Sequence, residues 1–168
     1  MKNVIRKGAG ILLALLLVFC STAGMADLSE EIKDKTAVYN SSAHELAMPE
    51  VDPADCQVSE DASFTRYYYT LPSGLEVAFL SSDGQAFSAA IVRFGQEEAL
   101  AEFFGTSIAV SFAMMGENAQ PSGIYIALMQ EFFMARNNTD YVDSTVGPFQ
   151  ISVTRHEKGY LFMVFRNQ

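Results

Sequence analysis

Two histidines each precede a glutamate, His44-Glu45 and His156-Glu157. Such a pair begins a zinc-hydrolase helix motif only where a second histidine follows four residues after the first, so that both imidazoles share one helix face. Met48 and Tyr160 stand at those positions, so no metal ligand is assigned. Serine chemistry is equally bare: the chain has no Gly-x-Ser-x-Gly elbow and no Ser-x-x-Lys pair. Its nearest string, Gly105-Thr106-Ser107-Ile108-Ala109, falls inside a helical pattern, where Ser107 is expected to let two elements pack closely. Cys56 sits in Asp-Pro-Ala-Asp-Cys-Gln, with no neighbouring base or helix N-terminus to lower its pKa. Glu50, Asp52 and Asp55 lack calcium-loop spacing. No phosphate-cradling loop and no cofactor is implied.

Carboxylates remain, since a glycosidase pair meets only in three dimensions. The carboxyl-terminal part carries Glu76, Glu102, Glu131, Asp140 and Asp143. Glu102 and Glu131 lie in strongly apolar helical patterns, where burial would raise a carboxyl pKa. Both are expected to face water between apolar stripes. A small hydrolase assembled from such acids is the first alternative to a non-catalytic reading.

What the chain does carry is adaptable apolar surface. Phe103, Phe104, Phe112, Met114, Met115, Met129, Phe132, Phe133 and Met134 crowd two helical patterns, and methionine and phenylalanine surfaces accept ligands or partners as readily as they fill cores. Tyr67, Tyr68 and Tyr69 are consecutive, so they cannot share a strand face, and tyrosine on an exposed sheet is a common recognition surface. The residues expected to bind are therefore Tyr67, Tyr69, Phe104, Met115, Met129 and Phe133. The partner would be a protein or a small apolar ligand.

Charge narrows the partner further. Lys2, Arg6 and Lys7 precede the apolar run Ile11 to Cys20, and small residues follow to Ala26. That is the pattern of a cleaved secretory signal, with an uncleaved anchor as the alternative. Either places residue 27 onward outside the cytoplasm, secreted or at the cell surface, with membrane contact only during export. Residues 1–26 hold three of the 11 basic residues and none of the 20 acidic ones. Eight bases then face 20 acids, a formal net charge of −12. Such a surface repels phosphate backbones and anionic bilayers, so nucleic-acid binding is not expected. Only Cys56 remains beyond residue 26, so no internal disulfide staples the fold.

Residues 27–63 hold ten acids, two bases and one aromatic, Tyr39. This composition reads as a mostly disordered leader, too poor in apolar groups to offset its ordering entropy, with a short helix over 28–39. Asn40-Ser41-Ser42 within it matches the N-glycosylation pattern.

Residues 64–168 hold 12 Phe and six Tyr, enough for one core. Phe64 to Thr70, Leu75 to Leu80 and Ala86 to Phe94 alternate as strands, with Asp83-Gly84 as a hairpin turn. Gln96 to Met115 and Pro121 to Arg136 follow helical spacing, the first stopped by Gly116. Tyr141 to Val146, Phe149 to Thr154 and Tyr160 to Phe165 return to strand. The order β-β-β-α-α-(β)-β-β predicts an α+β fold, two layers, with a mainly antiparallel sheet of five or six strands on a helical hairpin. Tyr160 to Phe165 is apolar on both faces, which calls for cover on both. The 28–39 helix or a second subunit, forming a homodimer through the sheet, is expected to supply the outer cover. The functional expectation is an exported, non-catalytic binding or interaction module. A dimerising structural subunit is the second alternative.

Overall fold

The computed structural model describes residues 30–81, 87–94, 99–116, 119–137, 144–156 and 159–166. The expected signal over 1–26, the Asp83-Gly84 turn, Asp140, Asp143 and the side chain of His156 lie outside the described residues.

The strands are β1 (Gln57–Glu60), β2 (Thr65–Thr70), β3 (Glu76–Ser81), β4 (Phe87–Phe94), β5 (Ser144–Val146), β6 (Phe149–His156) and β7 (Gly159–Arg166). The helices are α1 (Glu30–Glu45), α2 (Leu100–Met115) and α3 (Pro121–Arg136). The seven described strands join one antiparallel sheet in the order β1-β2-β3-β4-β7-β6-β5. The class is α+β, as expected; the strand count is not. The additional strand is β1, a short polar segment (Gln-Val-Ser-Glu) that carries no apolar alternation of its own and exists as an edge partner of β2. Polar residues on a short edge strand also discourage further pairing.

Period two sorts the sheet into faces. Tyr69, Val77, Val92, Phe162 and Val153 align in register on one face, and Tyr67, Phe79, Val164 and Ile151 form the next row of it. The helices cover this face. Phe103 of α2 and Phe132 of α3 both meet Tyr160, with ring centroids 6.4 and 4.8 Å away. Gly116 ends α2 with φ +54, a conformation that favours glycine, and its N–H donates to the Phe112 carbonyl. Pro121 opens α3 at a position where its missing N–H costs nothing.

Residues 30–61 do not behave as a disordered leader. The helix expected over 28–39 runs to Glu45, and Ile32, Thr36, Tyr39 and Ala43 form a buried stripe. Its charges (Glu30, Lys33, Asp34) point outward, so a high mean charge conceals a narrow but complete apolar stripe. The helix lies on the same side of the sheet as α2 and α3. Thr36 Oγ1 and Tyr69 OH share a hydrogen bond at 2.9 Å, and Lys35 Nζ donates to the Ala113 carbonyl at 2.9 Å. That carbonyl is in the last turn of α2, where no intrahelical donor remains. The following loop is strapped back: Asn40 Nδ2 donates to Val51 O at 2.8 Å, Val51 N donates to Asn40 Oδ1 at 2.9 Å, and Tyr39 OH donates to Pro49 O at 3.0 Å. Asn40, read as a glycosylation acceptor, thus has both amide atoms engaged. Met48 closes the seam by seating on Gly105 of α2, where a Cβ would collide with its thioether.

Because α1 joins the helical layer, it does not cover the outer sheet face. That face gathers Ala78 and Leu161, with Tyr68, Leu80 and Met163 packed around them. Arg66, paired with Glu76, lies 4.4 Å over the Tyr68 ring. None of the three described helices rests on this face.

Candidate functional site

Helix α3 is apolar on more than one face. Its inner stripe of Ile124, Ala127, Leu128, Glu131 and Phe132 is buried against the sheet and α2. Its outer side should then be polar in an ordinary surface helix. Instead Tyr125, Ile126 and Phe133 stand 52%, 56% and 54% exposed. With Met129, Gln130, Met134 and Ser144 they line an open groove of about 770 Å³. None of these described lining residues carries a charge. Contiguous exposed apolar patches mark interaction sites more often than scattered ones do.

The six sequence-expected residues divide sharply. Met129 and Phe133 line the groove. Tyr69 and Met115 are buried in the core and present no surface to a partner. Tyr67 and Phe104 are half-buried and pack against that core. Phe104 sits edge-on to Phe132 at 5.0 Å, behind the groove rather than in it. Tyr67 and Tyr69 turn to the helical layer, and only Tyr68 of the tyrosine run faces outward. The expectation of a tyrosine recognition surface on β2 fails because the inward face of that strand is the covered one. Tyr125, Ile126, Met134 and Ser144 were not singled out by their types. The signal that finds them is positional: they are what remains of α3 once its inward stripe is assigned.

One polar group lies beneath the groove. Glu131 is only 1% exposed, contrary to the expectation that it faces water, and Ser144 Oγ donates to its Oε1 at 2.7 Å. Ser144 therefore belongs both to the groove and to the tie between α3 and edge strand β5. Glu102 is set elsewhere, accepting a hydrogen bond from Ser73 Oγ at 2.5 Å. Glu76 is occupied by Arg66. Glu76, Glu102 and Glu131 are thus on separate elements with separate partners; Asp140 and Asp143 lie outside the described residues.

The remaining reactive types are equally dispersed. Cys56 is buried; its Sγ donates to Gln57 O at 3.7 Å, and burial pushes the thiol pKa up. A buried thiol does not suit pairing between chains. Ser107 is fully buried with no hydrogen-bond partner among the described residues, which is the geometry of close packing. His44 Nδ1 meets Glu50 Oε1 at 2.9 Å on the surface. Among the described residues no group of three His, Cys, Asp or Glu could hold a metal ion, and no helix is long and apolar enough to cross a membrane.

No protein-family model, curated protein or solved structure matches the chain.

Proposed function

We propose that the chain is an exported, non-catalytic binding module that works through the outer surface of α3. The observation that carries this reading is the exposure of Tyr125, Ile126 and Phe133 side by side on one helix. Leaving three such side chains half in water forgoes ~1 kcal/mol or more each of burial. The uncharged lining sets an apolar partner against an otherwise acidic chain of net charge −9. Export rests on the sequence pattern of residues 1–26.

Self-association through the outer sheet face, a structural-subunit reading, has less support. Ala78 and Leu161 at its centre are already only 1% and 3% exposed, so a second copy would gain little there. The hydrolase reading would need two carboxylates converging in the groove, and its described lining residues supply none.

The test uses N-phenyl-1-naphthylamine, a neutral apolar dye, added to the purified chain. Its fluorescence is expected to rise saturably, and Phe133→Ser, an exposed and therefore structurally mild change, is expected to abolish most of the rise. A dye response that ignores Phe133, or no response at all, would remove α3 as the binding surface.

A further inference from the structure

The turn that ends α1 is built on an uncommon residue. Met48 N–H donates to the Ala43 carbonyl at 2.8 Å, and Ala47 N–H donates to the His44 carbonyl at 3.1 Å. That pair of bonds is the Schellman closure of a helix, in which the residue just past the end turns left-handed. Glycine is the usual occupant, because a Cβ crowds the following carbonyl oxygen. Ala47 stands there instead, at φ +54, and no other non-glycine residue among those described has a positive φ. A backbone in such a conformation persists only where its surroundings hold it. Met48 supplies that hold. It occupies the position whose apolar contact accompanies the closure, and its thioether rests on Gly105 of α2. The rest of the loop is fixed separately, Pro49 by Tyr39 and Val51 by Asn40.

We propose that Met48 is a site of reversible oxidation by hydroperoxides, and that its sulfoxide unlatches the end of α1 from α2. In the step, a sulfur lone pair attacks the terminal oxygen of the peroxide and the O–O bond breaks. The proton on the transferred oxygen passes to the departing one, which leaves as water when the oxidant is hydrogen peroxide. Sulfur is oxidised by two electrons and the peroxide is reduced by two. Methionine sulfoxide reductases reverse the change. Reach and intolerance together single out Met48 among the described methionines. Met114 and Met115 are buried. Met129 and Met134 line the open groove and Met163 lies on the outer sheet face, where an added oxygen meets water at no cost. Met48 is half-buried, open to solvent on one side and pressed on the other against backbone that leaves no space for one further carbon. Oxidation makes this apolar side chain polar. The α2 backbone beneath it has its N–H groups committed to the helix, so the sulfoxide finds no donor there and gains by turning to water. Ala47 then loses the contact that holds it left-handed. The inference is independent of α3.

The experiment treats the purified chain with hydrogen peroxide, locates sulfoxides by mass spectrometry, and follows the melting temperature and backbone hydrogen exchange. Sulfoxide at Met48 is expected to form while the chain is folded, well ahead of Met114 and Met115. The melting temperature should fall by about 3 °C or more in step with it. Exchange should speed up at the amides of Ala47 and Met48 and stay unchanged over α3. Methionine sulfoxide reductase should restore both readings. Met48→Leu, which keeps an apolar side chain on Gly105, should abolish the fall, whereas Met129→Leu and Met134→Leu should leave it intact. Sulfoxide at Met48 without a local rise in exchange would overturn the proposal. So would a Met48 that reacts only once the chain unfolds, or a Met48→Leu chain that loses as much stability as the parent.

Discussion

Glu131 tests how a buried carboxyl is held. Its neighbours along α3 are apolar, and sequence gave it no distinguishing mark from an acid facing water between stripes. Burial was decided by the angle at which α3 settles on β5 and β6, and that angle is a tertiary fact. Ser144 Oγ donates to it at 2.7 Å. Removing the acceptor costs the net worth of a hydrogen bond to a charged group, about 1.5–3 kcal/mol, less what water in the open groove returns to the half-buried Ser144 hydroxyl. Glu131→Ala is therefore expected to lower stability by that amount in urea denaturation, while Glu131→Gln, which keeps an acceptor, should lose less than half as much. Tyr39 gives a second prediction. Burial pushes its pKa up to about 12 from 10, and Tyr69 moves the same way for the same cause. Between those values the folded chain keeps protons that the unfolded chain has released. The unfolded state then binds fewer protons, and stability falls as pH rises. The contribution is whole below pH 10 and is lost through about pH 12. Urea midpoints taken from pH 9 to 12 should decline. Tyr39→Phe should make that decline shallower.

Elements were legible where period and length agreed. Alternation puts Val77 and Phe79 on one face of their strand and Phe149, Ile151 and Val153 on one face of theirs, and the register of the sheet brings both sets to the helical side. Pro121, Gly116 and Arg136 marked helix ends that the structure keeps. What sequence could not supply was pairing between elements of poor individual signal. β1 has four residues, and α1 has a stripe one residue wide; each is stabilised by its neighbour. Gly105 shows how tight the α1 loop lies on α2. A Cβ there would overlap the Met48 thioether, and overpacking costs ~1–3 kcal/mol. Alanine would otherwise gain up to about 1 kcal/mol over glycine in a helix interior. Gly105→Ala alone is expected to lower the melting temperature, whereas the same change in a Met48→Ala background should raise it. A sign reversal between the two backgrounds is the readout. Equal effects in both would mean that Met48 does not rest on that glycine.

At the scale of the whole molecule the boundary at residue 63 decides what the folding unit is. Composition divides the chain there, since acids dominate one side and aromatics the other. Packing does not. Ile32, Tyr39 and Ala43 are fully buried and share a single core with Leu128, Phe162 and Val164, and Cys56 and Val51 join it from the loop between α1 and β1. Burying side chains as large as Ile32 and Tyr39 contributes about 1.5–3 kcal/mol each, against a total stability of ~5–15 kcal/mol for a domain of this size. A chain begun at Gln57 loses those contacts and uncovers the sides of α2 and Tyr69 that α1 protects. It is therefore expected to be unfolded or molten, with helical circular dichroism but no cooperative melt. A chain begun at Asp27 should melt cooperatively. If the shorter chain melted as sharply and as high as the longer one, α1 would be an ornament on an independent domain, and the acidic stretch would be the tether that its composition suggests.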